Sequence, residues 1–170
     1  MATDLVCLEL PSLKSMLVVL IGASGAGKST LASTWPATGV VSLDQLRGVM
    51  SDDCGDQSAT ADAVEALHLI VDRRLARGLT TVVDATSVYA KDRAVLLDAA
   101  RRHGMSAIAV VVDTPLPVCI ERQKTRPKSR RVPDATVAAQ HQAMLDALPH
   151  LAGEGFTRVV VVAADTMTCP

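Results

Sequence analysis

One nine-residue segment, residues 22–30, limits the folds open to this chain more than any other part of its sequence. It reads GASGAGKST and fills every fixed position of the pattern G-x-x-x-x-G-K-[ST]. An apolar run, Met16–Ile21, precedes it, and a helical pattern over residues 28–35 follows. A glycine-rich turn between a strand and a helix can wrap a phosphate with backbone N–H groups, and the helix N-terminus adds positive potential. The segment therefore predicts a P-loop, a binding site for nucleoside phosphates.

Two side chains in this segment have expected roles in binding the phosphates and their metal ion. Lys28 is expected to reach the β- and γ-phosphates, and the Ser29 hydroxyl is expected to hold a metal ion. The expected ligands are ATP or another nucleoside triphosphate, with Mg²⁺ or Mn²⁺. The pattern leaves the acceptor of the phosphate open. The predicted nucleotide site comprises Gly22, Ala23, Ser24, Gly25, Ala26, Gly27, Lys28, Ser29 and Thr30.

Short apolar runs alternate with helical patterns along the whole chain. Each run is almost entirely apolar, as in parallel strands that are covered on both faces. This alternation predicts a single doubly wound α/β domain over residues 1–170, with a further edge strand at residues 6–10. The expected strands are residues 16–21, 40–43, 80–84, 107–113 and 158–163, and the main helices are residues 59–77, 90–102 and 135–148.

Composition narrows the class of partner. The net charge is −1, so the protein as a whole does not attract polyanions electrostatically. Aromatic residues make up only 2%, so few side chains could stack on nucleic-acid bases. The four cysteines lack the spacing of a metal clip or a redox motif, so we expect reduced thiols in a cytoplasmic protein. The longest apolar run, residues 16–23, is too short to span a bilayer, and we expect no membrane partner.

Three polar residues near predicted strand ends are candidates for chemistry, because the carboxyl ends of parallel strands face the ligand crevice. Asp44 could align an acceptor hydroxyl by hydrogen bonding, or it could cap a helix over residues 45–50. Arg47 could grip a substrate phosphate bidentately, or pair with Asp44 on the surface. Asp84, which ends the third run, could hold Mg²⁺ through water or cap the following segment.

A basic segment, residues 122–131, holds six lysines and arginines in ten residues. Arg122 and Arg126 are four apart, so we expect them to share one face of a helix, where like charges repel. Arginines placed together in this way could bind the phosphates of a triphosphate from a lid that covers it, and we expect such a lid over about residues 115–132. The alternative is a solvated basic loop.

Together these segments resemble the kinase domain of the bacterial polynucleotide kinase-phosphatase family of RNA-repair enzymes, from about residue 8 to residue 163. The most specific stretch is DQLRGVMSDD at residues 44–53. Two features depart from the family: Ser87 stands where the family usually has Asn, and the lid carries an extra residue around 127–129. The other similar stretches are VLIG at 19–22, DQ at 56–57, TVVDAT at 81–86 and the series Arg122, Arg126 and Arg130.

This resemblance implies a five-stranded parallel sheet in the order 2-3-1-4-5 and a kinase for the 5′-hydroxyl ends of RNA or DNA. It implies that Asp44 is the general base, that Arg47 binds the phosphate 3′ of the terminal nucleoside, and that Gln57 lies beside the acceptor. Lys28 and Arg126 complete the implied catalytic set. Arg122, Arg126 and Arg130 would contact the donor phosphates, with Arg131 competing for the third place because of the extra lid residue. Phosphatase and ligase domains follow the kinase in that family and are possible partners.

Two other functions remain open at this point. The first is a P-loop kinase of a small metabolite, nucleotide sugar or antibiotic, as in zeta-toxin-like enzymes, which also place Asp and Arg after the second strand. The second is a nucleotide-binding switch or assembly ATPase without an acceptor. A small-molecule kinase needs a closed substrate pocket, whereas a polynucleotide kinase needs an open basic path beyond Asp44.

Overall fold

The apolar runs form one parallel sheet in the computed structural model, which describes residues 15–163. The strand order is β2-β3-β1-β4-β5, so the order expected from the resemblance is confirmed. Every neighbouring pair is parallel. The expected edge strand at residues 6–10 lies outside the described residues. The strands are β1 Met16–Ile21, β2 Val40–Ser42, β3 Thr81–Asp84, β4 Ser106–Asp113 and β5 Arg158–Ala163.

Helices join consecutive strands, and the α/β architecture is confirmed. The helical patterns at 59–77, 90–102 and 135–148 correspond to α3, α4 and α6 to within one residue at each end. None of the helices in residues 15–163 is both long enough and apolar enough to cross a membrane. The helices are α1 Lys28–Ala32, α2 Leu43–Ser51, α3 Thr60–Ala76, α4 Ala90–Arg102, α5 Leu116–Lys124 and α6 Asp134–Ala147.

The central strand β1 is buried along its whole length, which explains why its sequence is uniformly apolar. Leu17, Val19 and Ile21 belong to a cluster that includes apolar side chains of α3, α4 and α6. Val18 and Leu20 face a second cluster, which includes Ala32 and Trp35. Close packing on both faces holds the strand ends in place, so the loops at their carboxyl edge start from fixed positions.

Among the differences from the sequence expectation, two bear on the site. The strand expected at 40–43 ends at Ser42, so Asp44 lies within the first turn of α2 and not in a loop before it. Helix α5 ends at Lys124, so the prediction that Arg122 and Arg126 share a helical face is wrong. Pro127 gives the physical reason, because the residue before a proline is disfavoured in the helical conformation.

A buried ion pair fastens α4 to the segment before β5. Arg93 is 1% exposed, and its Nε and Nη2 donate to the Glu154 carboxylate at 2.7 and 2.5 Å. Its Nη1 donates to the Ser87 carbonyl at 2.9 Å. Ser87 has a φ of 46°, a left-handed conformation that asparagine adopts more readily than most residues. This geometry explains why asparagine suits position 87.

Candidate nucleotide and acceptor site

The P-loop turn depends on glycine at positions that need a left-handed backbone. Gly25 and Gly27 have φ values of 87° and 108°. A Cβ at Gly25 would lie 2.5 Å from the Cys119 carbonyl oxygen of α5. Within residues 15–163, the amides of Gly25, Gly27, Lys28 and Ser29 donate to no protein acceptor. The loop therefore keeps a set of backbone donors available for an anion.

Lys28 is buried in this loop at 8% exposure. Its Nζ donates to the carbonyls of Gly22 and Ala23 at 2.9 and 2.8 Å. Burial lowers the pKa of Lys28 to about 8; the charge of Asp84 partly opposes that change and the charge of Arg126 adds to it. The site thus holds a desolvated cation beside the free amides, and this arrangement favours a polyanionic ligand.

Ser29 and Asp84, the two residues for which a metal role is predicted, lie in direct contact. The Ser29 hydroxyl donates to Asp84 Oδ2 at 2.8 Å, and Asp84 ends β3 with 8% exposure. The carboxylate therefore bonds across to the P-loop and does not cap the segment that follows it. Mg²⁺ typically uses one or two protein oxygens together with waters and phosphates, so this donor pair fits it. In the described residues, no group of three or more His, Cys, Asp or Glu could hold a metal.

Asp44 and Arg47 face each other at the other end of the site. Arg47 Nη2 donates to Asp44 Oδ1, and Arg47 Nε donates to the Cys54 carbonyl at 3.1 Å. The ion pair that was one alternative for Arg47 is present, yet Arg47 is buried at 9% exposure and is not a surface residue. Arg130 Nη2 also lies 3.6 Å from Asp44 Oδ2. Asp44 is therefore a carboxylate between two guanidinium groups.

The loop after α2 is shaped by close approaches that its sequence allows. A Cβ at Gly48 would lie 2.7 Å from Cys54 Sγ, so glycine lets the loop fold back on the helix. A Cβ at Gly55 would lie 2.2 Å from the Ser129 carbonyl oxygen, which places this loop directly against the lid. Gln57 follows, and its Nε2 donates to the Gly55 carbonyl at 3.2 Å. The lid and the acceptor-side loop therefore touch.

One cavity of about 520 Å³ joins the two ends of the site. Asp44, Arg47, Gln57, Asp84, Arg122 and Arg126 line it from outside the P-loop. Ser24, Gly25, Gly27, Lys28, Ser29 and Thr30 line it from the P-loop. The structure thus brings most of the predicted residues together, and their individual roles stay predictions.

The four candidate lid arginines have different partners. Arg122 Nη1 donates to the carbonyls of Gly25 and Ala26 at 3.1 and 3.2 Å, so it contacts the P-loop itself. Arg126 reaches the cavity from beyond the end of α5. Arg131 donates to the Lys124 and Arg126 carbonyls at 2.7 and 2.8 Å and so ties the lid backbone together. Arg130 and Arg131 were the two candidates for the third lid arginine. Arg130 lies beside Asp44, whereas the hydrogen bonds of Arg131 go to lid backbone carbonyls.

Sequence reasoning missed three polar residues at this site. Gln140 of α6 accepts a hydrogen bond from the Ser24 amide at 2.9 Å. Thr60 lines the cavity, and its buried hydroxyl has no hydrogen-bond partner in the part of the chain that the structure describes. Gln123 is buried beside Arg126. No sequence signal marks them, because Gln140 and Ser24 are 116 residues apart and glutamines on helices are common on surfaces.

No sequence among the curated proteins is significantly similar to this chain. A structure of the PezAT toxin-antitoxin system of Streptococcus pneumoniae is 15% identical, with a TM-score of 0.67, over 91% of this chain and 70% of that chain. A sugar kinase from Janibacter sp. HTCC2649 is 21% identical, with a TM-score of 0.58, over 89% and 86%. The APS kinase of Mycobacterium tuberculosis, in complex with AMPPNP and APS, is 24% identical, with a TM-score of 0.50, over 80% and 98%.

These likenesses establish the fold shared with P-loop kinases. The sequence pattern of the AAA domain family matches residues 17–151, which is well over half of the 170-residue chain. The match includes the P-loop, the α2 segment with Asp44 and Arg47, and the lid arginines. The chain therefore belongs to the AAA domain family and has the fold of a P-loop kinase.

Proposed function

We propose that this protein is a kinase that transfers the γ-phosphate of ATP, or of another nucleoside triphosphate, to a hydroxyl of an acceptor beside Asp44. The observation that carries the proposal is the single cavity with the P-loop at one end and the Asp44 carboxylate at the other. A carboxylate that faces the phosphate site can accept the proton of an attacking hydroxyl. A switch or assembly ATPase has no need of such an acidic second end.

The chemistry assigned to each residue follows from its position. The acceptor oxygen would attack the γ-phosphorus, the bond to the β–γ bridging oxygen would break, and the hydroxyl proton would pass to Asp44. Lys28 and Arg126 would stabilise the charge that develops on the phosphoryl oxygens. Ser29 and Asp84 would hold Mg²⁺, which supplies charge neutralisation to the phosphates when it is bound. Arg47 orients Asp44 through the ion pair between them.

A small hydroxylated metabolite is the acceptor class that the comparisons support best. Structures of similar fold include a sugar kinase, a gluconokinase and an APS kinase. The size of the cavity, about 520 Å³, supports the same class, because pockets of this size take compact small molecules.

A polynucleotide 5′-hydroxyl end, of RNA or DNA, is the second candidate. The observation that favours it is the acceptor end itself, which is built from the segment that resembles the polynucleotide kinases, residues 44–57. The buried Arg47 guanidinium suits a phosphate that follows the terminal nucleoside. In this reading phosphatase and ligase activities would act on the same ends.

The two candidates are separated by following label from the γ-phosphate of ATP into competing acceptors. One reaction contains sugars and sugar acids, a second a 5′-hydroxyl oligonucleotide, and a third a nucleoside 3′-phosphate. Label on a sugar hydroxyl supports the first candidate, and label on the oligonucleotide supports the second. For the second candidate, Arg47→Ala should weaken binding of the nucleoside 3′-phosphate but not of the bare nucleoside. Equal losses on both would show that Arg47 reads no such phosphate.

A further inference from the structure

Gln123 is an uncharged residue inside the basic lid segment, residues 122–131, and it is only 2% exposed. Its neighbours Arg122 and Lys124 are exposed, so the burial of Gln123 is specific to this position. Burial of an amide carries a free-energy penalty unless its polar atoms make hydrogen bonds. The contacts of Gln123 therefore indicate what it does.

The side-chain oxygen of Gln123 closes the base of the lid loop. Its Oε1 accepts from the Val132 amide at 3.2 Å and from Arg126 Nη1 at 3.4 Å. Both partners are obligate donors, so the oxygen and not the nitrogen of the amide must face them. Arg126 and Val132 lie near the two ends of the loop between α5 and α6. One carbonyl oxygen thus bonds to the side chain of an arginine near one end of that loop and to the backbone near the other.

The nitrogen of the same amide lies against the P-loop. A Cβ at Gly25 would be 3.0 Å from Gln123 Nε2, beside the 2.5 Å approach to the Cys119 carbonyl. This Nε2 is buried and has no hydrogen-bond partner within residues 15–163. Arg122, one residue earlier, donates to the Gly25 and Ala26 carbonyls. Consecutive residues of α5 therefore pack on the loop that would hold the donor phosphates.

From these contacts we infer that Gln123 is a positioning residue for phosphoryl transfer. It sets Arg126 in the phosphate cavity and seats the lid loop on the P-loop, and it acts through Arg126 without contacting the substrates. The inference rests on the proposed kinase function where it concerns catalysis. The structural part of the inference, that Gln123 joins the two ends of the lid loop, does not depend on that function.

The catalytic half is tested by a double-mutant cycle between Gln123→Met and Arg126→Ala. Methionine keeps the length and burial of the side chain but cannot accept the two hydrogen bonds. We expect kcat to fall roughly 10- to 100-fold with little change in KM for ATP, part of the 10³–10⁵ that such arginines contribute in other enzymes. In the Arg126→Ala background the same substitution should change kcat by less than about twofold. Equal effects in both backgrounds would overturn the inference.

The same cycle with Gln123→Glu covers the case in which the methionine variant does not fold. Glutamate keeps the volume and the acceptor oxygen, and it places a negative charge on Arg126. The effect of Gln123→Glu on kcat must also disappear when residue 126 is alanine. An effect that persists there would show that Gln123 does not act through Arg126.

The structural half is tested without any phosphate transfer, by limited trypsin digestion of the nucleotide-free protein. Trypsin should cut the bond after Lys128 at least about tenfold faster in Gln123→Met than in the wild type, because the loop is released from α5. Gln123→Glu should stay close to the wild type. Gln142→Met is the matched control and should also stay close, since this exposed glutamine lies on α6 and its side-chain amide donates to Asp146. Unchanged cleavage in Gln123→Met would contradict the lid role, even if the kinase proposal failed.

Discussion

Raising the pH above 8 should weaken ATP binding through the titration of Lys28. Burial lowers the pKa of Lys28 to about 8 in the nucleotide-free site, whereas bound phosphates would keep the ammonium charged. Binding above pH 8 then requires the uptake of one proton. With a pKa of about 8, the dissociation constant for ATP should rise roughly 50-fold between pH 8 and pH 10.

The same titration predicts the opposite trend for the stability of the nucleotide-free protein. The pKa of Lys28 is lower in the folded state than the ordinary value of 10.5, so the unfolded chain binds more protons between about pH 8 and 10.5. The stability penalty of the buried charge is full below pH 8 and is relieved as the pH rises through that window. The contribution of Lys28 to the free energy of unfolding should therefore increase by about 2 kcal/mol from pH 8 to pH 10.

Two titrations check this prediction. Calorimetry gives the ATP dissociation constant at each pH, and urea unfolding gives the stability of the wild type and of Lys28→Met. Methionine cannot titrate, so subtracting its profile removes the contributions of all other groups. The reasoning is refuted if ATP affinity is flat from pH 8 to pH 10 and the two stability profiles run parallel.

Three further predictions each rest on one contact or one backbone angle. Gly25→Ala should lower ATP affinity by at least about tenfold in calorimetry, because its Cβ would meet the Cys119 carbonyl at 2.5 Å in a backbone of φ 87°; normal affinity would show that α5 yields easily. Glu154→Gln should reduce the free energy of unfolding by about 3 kcal/mol in urea, because it leaves the buried Arg93 without a counter-charge. Asp98→Asn, in the exposed pair with Arg101, is its control and should cost less than about 1 kcal/mol; equal losses would contradict the argument. Ser87→Val should reduce the free energy of unfolding by about 1–3 kcal/mol and Ser87→Gly by less than about 1 kcal/mol, since φ is 46° at this position. Thermal unfolding measures both variants, and a glycine variant less stable than the valine variant would contradict this prediction.

Much of the fold was predictable because its determinants are local. The P-loop pattern needs only nine consecutive residues, and each parallel strand is marked by a short run that is almost entirely apolar. The sheet order came from the resemblance and not from the pattern, since nothing in a single strand says which neighbour it pairs with. The helical face expected for Arg122 and Arg126 was wrong, because α5 ends at Lys124 and Pro127 disfavours a helical conformation at Arg126.

The parts of the site that could not be predicted depend on distant segments meeting. Gln140 reaches Ser24 across 116 residues of sequence, and Arg130 reaches Asp44 only because the lid folds back over α2. The pairing of Asp44 with Arg47 was foreseen as an alternative, but the burial of Arg47 was not. That burial depends on the Cys54 carbonyl and on the close approach of Gly48 to Cys54. Such contacts are properties of packing, which a residue pattern does not encode.

Passage of the γ-phosphate to an acceptor hydroxyl activated by Asp44 can be followed directly with labelled ATP. The protein is incubated with ATP labelled in the γ-phosphate and a mixture of hydroxylated acceptors, and label is followed into phosphate esters and inorganic phosphate. We expect a labelled ester with the wild type. With Asp44→Asn, which should still bind ATP normally, we expect its rate of formation to fall by at least about 10²-fold. Label that appears only as inorganic phosphate, at the same rate in both proteins, would contradict this expectation.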